Sequence, residues 1–365
     1  MIIAAAVAIL LAAAGLAVFH WEDPPPPAVE PVAEASELAV EGEPQHSARV
    51  PQPVPVLPAF ESTTNEPACT NLYERFAGGG IPKLRCEDLE PFLARNRRSV
   101  EALLGALRAS GDDALLKEAK EAYPNDPRVQ FAAAFQTESP EERRQWLEKF
   151  KESAPDNALA NYLLAAEHFK SGHAAEALEE LAAATAKPRF ENYLLDFVQN
   201  TEEAYHASGC SDAEAKAIAM SGALLPELGP LKHLSIAMVD LAKRYEQAGD
   251  STSASELQAM ALGLGQRLEG SPQFTLIHEL VGVAIERIVL SSMNPEAPCG
   301  GTGWTVQNQM DALAAGKKQR QAIFAEAEPA LKTLSDQDLG HFFDRMKVYG
   351  EVAAMRWVVN RRPPQ

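Results

Sequence analysis

Apolar and polar positions follow three different rhythms along this chain. The first nineteen residues, MIIAAAVAILLAAAGLAVF, carry no charged or strongly polar side chain, and about 20 apolar residues in a helix cross the hydrocarbon core of a bilayer. His20, Trp21, Glu22 and Asp23 follow, an interfacial aromatic and then charge. Residues 1–21 therefore read as a transmembrane anchor or uncleaved signal. A secretory leader would carry a basic start, which is absent, although Gly15-Leu16-Ala17 offers small residues for a cleavage site. Neither flank is basic; the acidic distal flank orients the amino end inside and the bulk outside.

The second rhythm is set by proline. Residues 22–60 contain Pro24-Pro25-Pro26-Pro27 and further prolines at 31, 44, 51, 53, 55 and 58, with seven acidic residues against Arg49. Proline fixes φ and removes a donor, so this segment is expected to be a disordered, extended tether. At about 3.1 Å per residue it reaches on the order of 100 Å. A loop-rich lead-in, 61–87, holds Asn65, Pro67, Cys69 and Gly78-Gly79-Gly80. From about Asp88 the spacing becomes that of amphipathic helices, and strand signals almost vanish.

The helical part repeats. Proline stops at Pro124, Pro155 and Pro188 lie 31 and 33 residues apart, the length of one helical hairpin. The clearest unit is Ala158–Pro188, ALANYLLAAEHFKSGHAAEALEELAAATAKP, with small residues Ala165, Ala177 and Ala184 and the turn glycine Gly172. A second, Ser235–Leu268, places Ala242, Gly249, Ala254 and Ala261 at matching offsets. On these residues the chain resembles the tetratricopeptide repeat family over about half its length, with Asn161 and His168 standing where the family prefers Trp and Tyr. Weaker copies are expected at Ser99–Tyr123, Asp126–Lys151 and Phe190–Leu225. Ser139-Pro140-Glu141-Glu142 reads as a helix start, with an N-cap, proline in the first turn and acids near the positive helix end.

The resemblance implies an all-α solenoid of helical hairpins over 88–270. Beyond it, helices over Pro272–Leu290, Thr305–Ala315, Lys318–Leu334 and Asp336–Val359 form a divergent cap, 271–362, that closes the last apolar face. The resemblance also implies a concave surface lined by first helices, with Tyr162, Phe169, Lys170, Lys243 and Glu246 at groove positions that receive a protein or peptide. Tyr162 and Ala166 do not supply the family's clamp for an acidic chain terminus.

Charge and chemistry narrow the function further. The net charge of −18 argues against nucleic-acid binding, which needs clustered Lys and Arg. His278-Glu279 lacks the second histidine of a zinc protease helix, since residue 282 is glycine. The eight histidines show no metal-ligand spacing, and Gly300-Gly301-Thr302-Gly303 lacks the lysine of a phosphate loop. No nucleophile elbow occurs, and adjacent acids such as Glu141-Glu142 diverge by about 100° on a helix. No metal, cofactor or enzymatic activity is therefore expected. Four cysteines allow three pairings; a Cys69–Cys86 bridge would staple the lead-in, with Cys210 and Cys299 as a second pair or as buried thiols. The expected function is a membrane-anchored, non-enzymatic interaction scaffold on the extracytoplasmic side, the alternative a structural protein that self-associates or spaces membrane complexes.

Overall fold

A computed structural model describes residues 81–270, 275–299, 303–331 and 334–361. The expected anchor (1–21), the tether (22–60) and most of the lead-in lie outside the described residues. Among the described residues no helix is long and apolar enough to cross a membrane.

The described chain is all-α, with fifteen helices and one two-residue strand pair. The first helices are α1 (Cys86–Arg95), α2 (Val100–Ser110), α3 (Asp113–Ala122), α4 (Pro127–Gln136), α5 (Pro140–Ser153), α6 (Ala158–Lys170) and α7 (Ala174–Thr185). Helices α2 to α6 start where a short polar side chain can satisfy the orphan amides of the first turn. Ser99, Asp112, Asp126, Ser139 and Asn157 each accept a backbone N–H in this way. The pairs α2/α3, α4/α5 and α6/α7 are helical hairpins with turns of two or three residues, stacked in chain order. Ala165, Ala177 and Ala184 are fully buried where α6 meets α7, and Gly172 turns between them at φ 80°.

The stack does not continue in chain order. Helix α8 (Leu194–Ala207) turns back to lie against α2, with α9 (Asp212–Ser221) packed on it, while α10 (Leu228–Gln247) and α11 (Ser251–Glu269) dock directly on α6 and α7. The α8/α9 pair, which the repeat reading placed in line, is thus an excursion across the first hairpin. Its seating is tight: a Cβ on Gly105 of α2 would stand 2.4 Å from the Asn200 carbonyl oxygen of α8. Phe197 of α8 stacks on Phe131 of α4 at 6.2 Å, with the Arg108 guanidinium 4.2 Å over its ring. The Tyr205 hydroxyl donates to the carbonyls of Pro82 and Ala109.

The array ends in α12 (Leu276–Leu290), β1 (Pro298–Cys299), β2 (Trp304–Thr305), α13 (Val306–Leu331), α14 (Asp336–Tyr349) and α15 (Glu351–Asn360). Two boundaries differ from those expected. Two helices are expected over Thr305–Ala315 and Lys318–Leu334, but Val306–Leu331 is the single helix α13, because packing of Leu313, Ala327 and Leu331 outweighs the roughly 1 kcal/mol intrinsic cost of Gly316. Conversely, the stretch Asp336–Val359 breaks at Gly350, whose φ 82° and ψ 166° are open essentially to glycine alone. Helix α14 then reaches α9, where Lys216 bonds Asp344 at 2.9 Å, and Lys347 bonds Glu202 of α8 at 2.8 Å. One core cluster runs from Leu84 to Val358.

Candidate functional site

The concave face expected for the first helices is largely taken up by the chain itself, since α8 covers α2 and reaches Phe131 of α4. An open cleft lies further along, where α11 crosses the ends of α6 and α7. Its volume is about 380 Å³, and it is lined by Tyr162, Thr185, Glu256, Ala259, Met260, Gly263 and Arg267. Glu256, Met260, Gly263 and Arg267 recur every three or four residues and so share one face of α11. The Arg267 guanidinium donates to the carbonyls of Thr185 (3.2 Å) and Lys187 (2.9 Å), which close the negative end of α7, and lies 6.0 Å over the Tyr162 ring.

Of the expected groove residues only Tyr162 lines this cleft. It is 1% exposed, packed edge-on against Phe190 at 5.8 Å, and burial pushes its phenol pKa up. Phe169 is half-buried against the core. Lys170, Lys243 and Glu246 are exposed, the last accepting from Gln258 at 3.1 Å. Ala242, Ala254 and Ala261 are buried where α10 meets α11, and Gly249 makes the turn at φ 83°. Sequence reasoning missed the second-helix residues because it placed the groove on first helices; the stripe on α11 was the available signal.

No known family model, curated protein or solved structure matches the chain. Function must therefore be argued from its own geometry. A second cleft of about 360 Å³ at the carboxyl end is lined by His341, Asp344, Arg345, Val348, Tyr349 and Trp357. Val348 and Tyr349 are each 61% exposed there, and Arg345 and Arg361 each lie 4.9 Å from the Trp357 ring centre.

Two buried polar clusters away from both clefts link helices in the core. Asn192, Glu227 and His278 meet in the core: Asn192 donates to Glu227 at 2.6 Å, and His278 Nε2 lies 3.2 Å from the same carboxylate oxygen. The Thr275 amide donates to His278 Nδ1, and Asn192 Nδ2 lies 3.0 Å from His278 Nε2. The histidine on the rejected zinc-protease pattern is thus a cap and core linker. Glu269 and Glu286 of α11 and α12 face each other, and burial together with their mutual hydrogen bond holds Glu269 protonated well above the usual carboxylate range.

Cys86 is a free thiol that donates to Asp112 Oδ2 at 2.8 Å; that bond, with partial burial, pushes its pKa up. Its expected partner Cys69 lies outside the described residues. Cys210, buried in the α8–α9 turn, is disulfide-bonded.

Proposed function

We propose that this protein is a non-enzymatic helical scaffold that binds another protein or peptide, held at a membrane by its apolar amino end with the helical body on the extracytoplasmic side. The tetratricopeptide-like character of α2–α7 and α10–α11 belongs to this reading. The observation that carries it is the cleft of α6, α7 and α11, with an apolar floor of Met260, Ala259 and Tyr162 and charges at Glu256 and Arg267. Such a mixture suits an apolar side chain flanked by polar backbone.

A photo-crosslinking residue at position 259 of the full-length protein in its native membrane tests the cleft. The expected result is a discrete adduct that Gly263→Trp removes while helicity is kept, since a Cβ at Gly263 meets nothing within 4 Å and the indole would extend into the cleft that this residue lines. No adduct, or one indifferent to Gly263→Trp, would sink the reading. Self-association is favoured by exposed Val348 and Tyr349; a mass that stays monomeric on concentration argues against it.

A further inference from the structure

We propose that Glu148, His168 and Glu180 form a binding site for a divalent transition-metal ion. The three stand on α5, α6 and α7, and one ligand atom of each lies within 4.8 Å of the others. Ligand atoms around a 2.0–2.1 Å site are roughly 3.3 Å apart, so side-chain rotation of about an ångström completes it. None of the three lies in either cleft.

The hydrogen-bond accounting around this cluster points to a cation. Asn161, 2% exposed, donates its Nδ2 to Glu180 Oε2 at 2.6 Å, while its Oδ1 is buried without a partner. His168 Nδ1 is likewise buried without a partner. Two carboxylates and an imidazole thus converge, with one imidazole nitrogen left without a hydrogen-bond partner. The nearby cation is Lys151, whose Nζ lies 2.6 Å from Glu148 and 2.8 Å from Glu180. The lysine side chain is 27% exposed and can swing into water when a dication replaces it. Two carboxylates then balance the ion's charge, and the neutral imidazole favours a metal of the zinc type over calcium, which takes oxygen ligands. Such an ion would tie the second and third hairpins together through three helices.

The full-length protein, stripped with chelator and titrated with ZnCl₂ by calorimetry, tests this, with CaCl₂ as the control. One equivalent of Zn²⁺ is expected to bind and raise Tm, with Ca²⁺ inert. His168→Gln and Glu180→Gln should each weaken binding at least tenfold, and Lys151→Gln should tighten it about tenfold by removing the competing ammonium. The proposal is overturned if the wild type binds no Zn²⁺, if His168→Gln binds as well as wild type, or if Lys151→Gln leaves affinity unchanged. The Lys151→Gln gain keeps the test decisive even where a ligand variant folds poorly.

Discussion

Gly105 and Glu351 each reverse the expectation their residue type carries. In an ordinary helix interior, replacing glycine with alanine stabilises by about 1 kcal/mol. At Gly105 the new methyl would meet the Asn200 backbone, which cannot rotate away, so Gly105→Ala should destabilise by about 2 kcal/mol or more, read as a lower denaturant midpoint. Glu351 is buried, accepts from the Leu276 amide at 3.1 Å, and burial raises its pKa to about 7 from 4.5. Its folded form holds the proton to higher pH than the unfolded chain does. Stability from this group is therefore greatest below about pH 4.5 and falls as pH rises towards 7. Glu351→Gln keeps the carbonyl acceptor and removes the ionisation. Chemical unfolding should show it more stable than the wild type by up to about 3 kcal/mol at pH 8 and nearly equal at pH 4. Neither effect was legible in the sequence, because both depend on a backbone brought close from a distant part of the chain.

At the scale of elements, what depends on neighbours in sequence was legible and what depends on distant partners was not. The hairpins α4/α5, α6/α7 and α10/α11 follow from local signals: proline stops, polar N-caps and turn glycines at Gly172 and Gly249. The failures have a different physics. Gly316 and Gly350 are the same residue, yet one continues a helix and the other breaks it, and tertiary packing bears on which outcome each takes. The return of α8 to α2 leaves no local trace. Its anchor is Phe197, wedged between Phe131 and Arg108. Phe197→Ala should cost about 3–5 kcal/mol and raise hydrogen exchange in α2 and α8 more than in α11 and α12. Uniform loss of protection across all helices would contradict a local anchoring role. The cleft was half legible, with Tyr162 visible as a groove position and Arg267 hidden on a second helix.

Over the whole molecule, the repeats are bound into something other than a row. In a linear solenoid each unit touches only its neighbours, so the ends fray and the chain can consolidate unit by unit as it emerges. Here part of the apolar surface of α2 is covered only after α8 has formed, about 90 residues later, and α8 and α9 are then held by Lys216 and Lys347 to α14 near the end of the chain. A nascent chain that stops after α7 leaves the side of Phe131 that meets Phe197 uncovered. The body therefore matures late and all at once, and a truncation at either end reaches the middle.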